Sequence, residues 1–407
     1  MLSCRFCGHP LTHLFADLGM SPLSNAYLRP EQLQSMEPFY PLAAYVCEEC
    51  FLVQVPEVQT PERIFTDYAY FASYSDSWLA HARAYCAAMR ERLGLGARSQ
   101  VIEIASNDGY LLQYFQEAGV PALGIEPAAN VAAVAQQKGI ETLVKFFGVE
   151  TARELAAAGR RADLLLGNNV LAHVPDINDF VAGLAVALKP GGTSTMEFQH
   201  LMQLMRGNQF DTIYHEHFSY LSLLAVRRIF ARHELDIVDV DELPTHGGSL
   251  RIYAQHVGEA PPSPRVDELE RRERAFGLER MEKYALFAEQ VRQTKRVLLD
   301  FLLRAKEEGK SIVGYGAPAK GNTLLNYCGV RTDFLDYTVD RSPHKQGLFL
   351  PGTRIPIHAP EKIAETRPDY VLILPWNIRE EIIEQMAHIR SWGGRFVVPI
   401  PSVEVLA

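Results

Sequence analysis

The middle of the chain alternates short apolar stretches with amphipathic or alanine-rich ones. From Val101 onward the apolar stretches are VIEIA, PALGIE, TLVKFF, DLLLGNNVL and TSTMEF. Because strands that alternate with helices usually pair in parallel, this order predicts a doubly wound α/β sheet within residues 66–257. The segments SLLAVRRIFARHELDIVDVDEL and SLRIYAQHV predict a helix, a strand and, after a turn, a last strand that complete the sheet.

Residues 309–407 repeat the alternation and predict a second α/β unit. Its apolar stretches lie in SIVGYGAPAKGNTLLNY, FLDYTVDR, DYVLILPW and RFVVPIP. Between the two units, over residues 258–308, prolines precede a charged segment that predicts one long helix. Five apolar positions keep near-helical spacing along it: Tyr284, Phe287, Val291, Leu298 and Phe301. One face of this helix is therefore expected to pack while the charged face is solvated, as in a spacer between domains.

Length and charge narrow the classes of function. A chain of 407 residues exceeds one ordinary core and predicts two or three domains. With 40 Lys and Arg against 49 Asp and Glu, no strongly basic face is expected, so nucleic acid is not an expected partner. The start MLSCRFCGHPL lacks a charged leader before an apolar run, and no apolar stretch approaches the roughly 20 residues of a membrane span. We therefore expect a cytoplasmic protein without a membrane partner.

Four of the six cysteines form two short pairs near the start of the chain. Cys4-x-x-Cys7 and Cys47-x-x-Cys50 are spaced as two thiolate hooks, and disulfides are disfavoured in a chain without an export signal. Four thiolates fill the tetrahedral coordination of zinc, so this metal would be structural and would not activate water. Residues 1–65 are therefore predicted to be a small module that zinc stabilises. A redox pair is the alternative.

Polar residues follow three of the predicted central strands. Ligands bind at the carboxyl ends of the strands in such sheets, and an acid at the end of the second strand is placed to accept ribose hydroxyls. The first loop lacks G-x-G-x-x-G, which disfavours a dinucleotide, whereas S-adenosylmethionine carries no phosphate and tolerates an acidic loop. The alternative is a plain turn between strand and helix. The candidate residues for this cofactor are Glu103, Ala105, Asn107, Asp108, Gly109, Glu126, Asn168 and Asn169.

The loop GYGAPAKG follows the first strand of the C-terminal unit and begins a helix. Its free amides and Lys320 suit an anion, and we expect a diphosphate there, with a purely structural turn as the alternative. Gly316 and Asn322 complete this candidate substrate site. His246, in the turn PTHGGS, is a further candidate for substrate contact. Asp340, at the next strand end, could meet a ribose hydroxyl or cap a turn.

The stretch YHEHFSY, residues 214–220, holds an unusual density of proton-transfer groups. It follows a strand end and the segment LMQLMRGNQFDTI, which shows neither a helical nor an alternating period and predicts a functional loop. A solvated polar loop is the alternative. Upstream, the aromatic segment FTDYAYFASYSDSW, which includes Tyr68 and Tyr70, either packs into the core or closes over a ligand.

Several segments of the chain occur in the same order in a known family. They are the two cysteine hooks, YAYFASYSDSWLAHA, VIEIASNDGYLL, YHEHFSYLS, PTHGGSLR and GYGAPAKGNTLLN. In them the chain resembles bacterial sugar C-methyltransferases, which use S-adenosylmethionine to methylate nucleotide-linked 4-ketohexoses, commonly dTDP sugars, at C3. The resemblance implies an α/β fold of three parts. They are an N-terminal zinc module with four cysteine ligands, a central Rossmann-like class I methyltransferase domain and a second Rossmann-like domain that binds the nucleotide sugar.

The resemblance also implies roles for single residues. Zinc would lie on the four cysteines, and the methyl donor would lie near the strand ends named above. His217 would be the base, and Glu216 would assist at the 4-keto oxygen. Tyr68, His173 and Tyr214 would face the sugar, and the GYGAPAKG loop would receive the nucleotide diphosphate.

The chemistry of a 4-keto sugar agrees with these roles. Removal of the C3 proton leaves an enolate whose charge the keto oxygen accepts, and a histidine with a pKa near ~6.5 can take the proton. Glu216, Tyr214 or His173 could stabilise the oxygen. The alternatives are an NAD(P)-dependent nucleotide-sugar oxidoreductase and a zinc-containing scaffold protein. His215 is expected to be structural.

Overall fold

The computed structural model describes residues 2–60, 72–74 and 76–406; the candidate residues Tyr68 and Tyr70 lie outside these ranges. The strands, in chain order, are β1 (His13–Ser21), β2 (Tyr40–Val46), β3 (Val53–Gln54), β4 (Val101–Ile104), β5 (Ala122–Ile125), β6 (Thr142–Leu143), β7 (Ala162–Asn168), β8 (Leu188–Gln199), β9 (Ser219–Tyr220), β10 (Leu235–Leu243), β11 (Ser249–His256), β12 (Ile312–Tyr315), β13 (Thr338–Val339), β14 (Ile357–His358), β15 (Tyr370–Ile373), β16 (Arg395–Val398) and β17 (Glu404–Leu406). The α-helices are α1 (Asp76–Leu93), α2 (Leu112–Glu117), α3 (Ala129–Gln137), α4 (Val149–Ala157), α5 (Ile177–Ala187), α6 (Leu201–Arg206), α7 (Leu223–Ala231), α8 (Pro264–Phe276), α9 (Met281–Glu307), α10 (Ala319–Cys328), α11 (Lys362–Thr366) and α12 (Arg379–Gln385). Within the described ranges, no helix combines the length and the apolar character needed to cross a membrane.

The first sheet has the order β1-β2-β3-β9 and belongs mainly to the N-terminal module. Its alternating pattern buries Phe15, Leu42 and Ala44 on one side, as expected of an antiparallel sheet with one covered face. The last strand, β9, comes from far along the chain, and its Tyr220 pairs with Val53 of β3. The strand that follows YHEHF is therefore part of the module's sheet.

The second sheet has the order β10-β11-β8-β7-β4-β5-β6. Strands β8 to β6 in this order are parallel, and β11 and β10 extend the sheet antiparallel. Helices cover both faces, which explains why β4 and the middle of β7 are buried throughout. The predicted doubly wound sheet and its completion are confirmed. The carboxyl ends of β4, β5 and β7 meet at one edge.

The third sheet has the order β14-β13-β12-β15-β16-β17 and is parallel except for β17 at its edge. The predicted second α/β unit is therefore confirmed. Its four predicted strands are β12, β13, β15 and β16. The two additional strands lie at the edges and are only two and three residues long, too short to show a period.

The charged segment between the two α/β units forms two helices, α8 and α9, and not the single helix predicted. Gly277 ends α8 in the left-handed conformation, with φ of 103°. Helix α9 then packs on β1, where Phe287 stacks on Phe15 at 4.6 Å between ring centroids and Tyr284 meets the same ring at 6.0 Å. The predicted apolar face of this segment thus packs on the N-terminal module.

A second difference concerns LMQLMRGNQFDTI, which the sequence pattern predicts to be a loop. It begins with the short helix α6, whose buried residues are Leu201, Met202, Leu204 and Met205. A helix of six residues completes fewer than two turns, so its apolar positions cannot establish a helical period.

Candidate active site

A cavity of about 590 Å³ lies where the three units meet. The N-terminal module, the central strand ends, the YHEHFSY stretch and the C-terminal unit all contribute to its wall. The predicted site residues that line it are Ala105, Asn107, Glu126, Asn168, Asn169, His173, Tyr214, Glu216, His217, His246 and Lys320. The predicted residues of the described ranges that lie behind this wall are Glu103, Asp108, Gly109, Gly316 and Asn322.

Several residues of the cavity wall have a backbone conformation that side chains rarely adopt. The φ angles of Ala105, Asn107 and Asn169 are 53°, 49° and 56°, and that of His246 is 52°. Left-handed backbone at residues other than glycine costs of order 1–3 kcal/mol each and persists only where the surroundings enforce it. Since such strain clusters at ligand sites, its concentration here points to a functional cavity.

Glu126, which follows β5, holds the first loop in place. Its Oε2 accepts the N–H of Asn107 at 2.9 Å, and its Oε1 accepts the N–H of Ala128 at 2.8 Å. Burial raises the pKa of this carboxyl group, and the two N–H donors oppose that shift. Each oxygen keeps a second acceptor position, which fits the ribose hydroxyls expected at this strand end.

Three of the predicted cofactor residues support the same loop from behind. Glu103 is fully buried, and burial raises its pKa well above the usual value of a carboxyl group. Asp108 is buried 3.6 Å from Nζ of Lys138. A Cβ atom on Gly109, whose φ is 76°, would lie 2.3 Å from Ile140. These residues shape the loop, and the residues before and after them face the cavity.

Asn168 and Asn169, at the end of β7, bring amide groups to the cavity. Both side-chain amide atoms of Asn168 are buried without a hydrogen-bond partner in the described part of the chain. Buried polar atoms in native proteins are nearly always paired, so this orphaned amide indicates a ligand position. Asn169 Nδ2 lies 3.2 Å from His246 Nε2 and links the strand end to the PTHGGS turn.

His217 is held in one orientation at the cavity wall. Its Nδ1 donates to the carbonyl oxygen of Thr212 at 2.9 Å, so Nε2 carries the lone pair in the neutral ring. Nε2 lies 2.9 Å from the hydroxyl of Tyr214, which donates to it. Burial, and then the neighbouring His173, lower the pKa of His217 well below its usual value. The ring is therefore neutral at neutral pH and has one basic nitrogen.

Glu216 is only 3% exposed, and this burial raises its pKa to about 7. Asn25 of the N-terminal module donates from Nδ2 to Oε1 of Glu216 at 2.7 Å and opposes that shift. A carboxyl group with such a pKa is partly protonated at neutral pH, so it can donate a hydrogen bond or a proton.

The other two histidines near this loop differ in position. His173 lines the cavity with its ring centroid 4.6 Å from that of His217, and burial lowers its pKa to about 4. His215 points toward the N-terminal module, where Nε2 donates to the carbonyl oxygen of Pro41 at 3.2 Å. Its ring meets that of Tyr40 edge-on at 6.0 Å. These contacts indicate a structural role for His215.

Lys320 reaches the cavity from the first turn of α10. Its Nζ donates to Oδ1 of Asn377 at 2.7 Å and lies 4.5 Å from the ring centroid of Trp376. Burial lowers its pKa to about 8. Gly316, with φ of 89°, lets the loop pass so close to Pro375 that a Cβ atom would lie 2.5 Å from it.

The side chains of Asn322 and Asp340 form hydrogen bonds with backbone groups of the chain. Asn322 is buried and donates from Nδ2 to the carbonyl oxygen of Ser24 at 2.6 Å, across the contact with the N-terminal module. The two oxygens of Asp340 accept the backbone N–H groups of Ala317 at 2.7 Å and Ser342 at 2.8 Å. Of the two alternatives for Asp340, the structure therefore favours the cap of a turn.

The four paired cysteines come together in the N-terminal module, with all Sγ atoms within 4.8 Å of one another. Cys4 and Cys50 are 3.6 Å apart, Cys7 and Cys47 3.5 Å, and Cys7 and Cys50 3.7 Å. Zn–S bonds of about 2.3 Å in a tetrahedron place the sulfurs about 3.8 Å apart, so this set fits a structural zinc ion. Gln54 Nε2 donates to Cys4 Sγ at 3.2 Å and orients one ligand.

Asn25 and Lys345 are two of the polar residues of the cavity wall that sequence reasoning missed. Asn25 stands in a Pro-punctuated polar stretch that carries no local signal. Lys345, whose Nζ donates to the carbonyl oxygen of Ala317 at 2.9 Å and lies 3.6 Å from Asp340, closely follows β13. Its position after a strand end is a signal that could have identified it.

Comparisons with known proteins cover most of the chain. Residues 4–65 match a family described as a proposed zinc binding domain, residues 78–240 one described as a methyltransferase domain, and residues 244–401 one described as a C-methyltransferase C-terminal domain. The C-methyltransferase NovU of Streptomyces niveus is 37% identical over 405 residues, which span 99% of this chain and 96% of that protein. With the cysteine geometry, these matches confirm the predicted structural zinc.

Other relatives match shorter parts. The ubiquinone biosynthesis O-methyltransferase of Chelativorans sp. (strain BNC1) is 32% identical over 94 residues, which span 23% of this chain and 37% of that protein. Among solved structures, an S-adenosylmethionine-dependent methyltransferase from Clostridium acetobutylicum ATCC 824 is 10% identical and covers 44% of this chain and 92% of its own, with a TM-score of 0.36.

Proposed function

Because the chain belongs to the S-adenosylmethionine-dependent C-methyltransferases, we propose that it methylates C3 of a nucleotide-linked 4-keto-deoxyhexose in deoxysugar biosynthesis. One observation carries the proposal: a neutral histidine, His217, and a partly protonated acid, Glu216, share one cavity wall. Such a pair suits removal of a proton next to a ketone, where a base acts on carbon and an acid on oxygen. A dTDP sugar is the first substrate to test.

The residues at the central strand ends fit the cofactor. Bound S-adenosylmethionine supplies an electrophilic methyl group on its sulfonium sulfur. We assign the ribose hydroxyls to Glu126, whose oxygens keep free acceptor positions, and the amino acid portion to the loop around Ala105 and Asn107. Asn168, with its orphaned amide, and Asn169 would complete the site. Glu103, Asp108 and Gly109 would act through the shape of the loop.

His217 is the proposed base. The bond from Nδ1 to Thr212 leaves Nε2 to take the proton from C3, and the low pKa keeps this nitrogen unprotonated. A base with a low pKa is weak, so the carbon acid must be activated strongly at its carbonyl oxygen. That requirement explains the value of hydrogen-bond donors in the same wall.

Glu216 is the proposed donor at the 4-keto oxygen, because its raised pKa keeps part of it protonated at neutral pH. Tyr214 and His173 lie beside it and can share this task. With S-adenosylmethionine bound, C3 of the enolate would take the methyl group, and the electron pair of the S–CH₃ bond would stay on sulfur. The proton from C3 remains on His217 until it passes to solvent. The chain's main contribution is to hold both reactants in register.

We propose that the C-terminal unit binds the nucleotide. Lys320 and the first turn of α10 offer a cation and backbone N–H groups to a diphosphate, and Lys345 adds a second cation at the cavity. Gly316 and Asn322 would shape this loop, and His246 would contact the sugar from the opposite side. The alternative function, that of a nucleotide-sugar oxidoreductase, is set aside because 99% of the chain matches a C-methyltransferase.

The experiment is incubation of the protein with S-adenosylmethionine and a panel of nucleotide-linked 4-keto-deoxyhexoses. We expect a product heavier by one methylene, with the new methyl located at C3 by NMR. The same panel with the corresponding 4-hydroxy sugars is the matched control, because they lack the ketone and cannot form the enolate. A methyl group on oxygen, or no product from any keto sugar, would contradict the proposal.

A further inference from the structure

A short segment of the N-terminal module, residues 24–28, is fixed against the C-terminal unit at both ends; we name it the N-terminal strap. At its start, Ser24 accepts a hydrogen bond from Asn322 Nδ2 at 2.6 Å. At its end, the backbone of Leu28 exchanges two hydrogen bonds with that of Phe349, at 3.0 and 2.9 Å. The strap is therefore hydrogen-bonded to the C-terminal unit on both sides of residues 25–27.

Asn25 is the strap residue that reaches the cavity wall. Its Nδ2 lies 2.7 Å from Oε1 of Glu216, 191 positions away in sequence. In the described part of the chain, this is the one hydrogen bond recorded for the Glu216 carboxyl group. The zinc module thus supplies a polar side chain to the catalytic loop, in addition to its structural contacts.

The hydrogen bond distinguishes the two oxygens of Glu216. A carbonyl oxygen accepts an N–H donor more strongly than a carboxylic hydroxyl oxygen does, so the bond to Oε1 favours the acidic proton on Oε2. We propose that Asn25 is a positioning residue, which holds the proton of Glu216 on Oε2 and so orients it for the keto oxygen of the substrate. This inference rests on the proposed role of Glu216 as the donor.

The amide suits this role better than a charged group. A lysine or arginine at this distance would favour the ionised carboxylate and remove the proton that the reaction needs. An aspartate would place two carboxyl groups in contact and force them to share a proton. A neutral donor fixes the orientation of the acid without fixing its charge.

The test compares Asn25→Leu, which is similar in size and has no donor, with Asn25→Asp, which keeps the shape and loses the N–H donor. Removing a donor from the ionised form raises the pKa of Glu216, so the limb at which activity falls with rising pH should move to higher pH in both. We expect kcat to fall about 10–100-fold and KM for the nucleotide sugar to change less than about threefold. If Asn25→Leu does not fold, Asn25→Ala takes its place, because Asn25→Asp adds a second carboxyl group that itself raises the pKa of Glu216.

Tyr27→Phe is the matched control. Tyr27 donates to the carbonyl oxygen of Ala317 at 2.5 Å, so this change loosens the same strap and keeps both partners of the Asn25–Glu216 hydrogen bond. An equal fall in kcat in Tyr27→Phe, or an unmoved alkaline limb in the Asn25 variants, would overturn the inference.

A readout without substrate separates this inference from the proposed function. The carboxyl band of Glu216 can be titrated by infrared difference spectroscopy, with Glu216→Gln used to assign it. We expect its midpoint to rise in Asn25→Leu, whichever substrate the enzyme takes. An unchanged midpoint would overturn the inference even if methyl transfer to a keto sugar were observed, while failure of the sugar panel alone would contradict only the proposed function.

Discussion

The hydroxyl of Tyr214 donates to Nε2 of His217 over 2.9 Å, so the nitrogen that we propose as the base is already hydrogen-bonded. For His217 to take a proton from carbon, Tyr214 must turn its hydroxyl away. We expect it to turn to the developing enolate oxygen, the new acceptor that such a reaction creates. One movement of the Tyr214 hydroxyl would then free Nε2 of His217 and stabilise the charge of the enolate.

Replacement of His217 tests its role as the base. His217→Asn retains a donor for the carbonyl oxygen of Thr212, because Nδ2 takes the place of Nδ1, but it removes Nε2. We expect kcat to fall by about 10²–10⁴ while S-adenosylmethionine still binds, measured by methyl transfer and by calorimetry. His215→Asn is the control. It loses the bond to Pro41, so it should lower Tm while kcat stays near that of the wild type. Near-normal methyl transfer by His217→Asn would remove His217 from the mechanism.

The pH dependence of kcat tests the pairing of His217 with Glu216. The active state needs a neutral His217, whose pKa is well below its usual value, so activity falls on the acid side only as the pH drops through that low range. It also needs a protonated Glu216, with a pKa of about 7, so activity falls as the pH rises through about 7. Glu216→Gln keeps an N–H donor and does not titrate, so its profile should lose the alkaline limb, and exchange of the C3 proton with solvent should slow. An alkaline limb shared by both proteins would assign it to another group.

Glu126→Gln tests the cofactor site. The new amide nitrogen would face one of the two N–H donors that the carboxylate now accepts, from Asn107 or from Ala128. We expect the Kd for S-adenosylmethionine, measured by calorimetry, to rise about 10–100-fold, because one hydrogen bond is lost and one donor is left unpaired. Glu141→Gln, at an exposed ion pair with Arg160, is the control and should bind normally. Unaltered binding by Glu126→Gln would place the ribose elsewhere.

Loss of one cysteine of the cluster tests the structural role of zinc. Cys47→Ser should lose the metal, measured as zinc content per chain, and its Tm should fall sharply, because structural zinc contributes on the order of 10 kcal/mol to folding. Cys86→Ser is the control, since Cys86 is buried outside the cluster and contacts the carbonyl oxygen of Leu111 at 3.6 Å. A zinc-free Cys47→Ser protein with the Tm of the wild type would show that the metal is not needed for stability.

Local features of the chain are predictable from the sequence. The cysteine spacing predicts the zinc ligands, and the alternation of apolar and helical stretches predicts both α/β sheets, because each signal lies within a few residues. The short helix α6 and the break at Gly277 are missed, since neither spans enough residues to change the period of the pattern.

Contacts between distant segments are not predictable in this way. Asn25 and Glu216 meet only because β9 joins the module's sheet and the strap is fixed on the C-terminal unit. The spacing of residues within either segment does not indicate the contact between Asn25 and Glu216. Lys345 is intermediate, since it follows a strand end, where ligand contacts concentrate, but no motif marks it.

The pairing of β3 with β9 has a consequence for building hybrid enzymes. Val53 and Tyr220 are joined in one sheet, although one belongs to the first 60 residues and the other directly follows the loop that carries His217. A hybrid that exchanged only the first 60 residues between two relatives would set a foreign β3 against β9 and a foreign strap against Glu216. Residues 214–220 would need to be exchanged with the module, so that the part that binds zinc and the part that moves protons are inherited together.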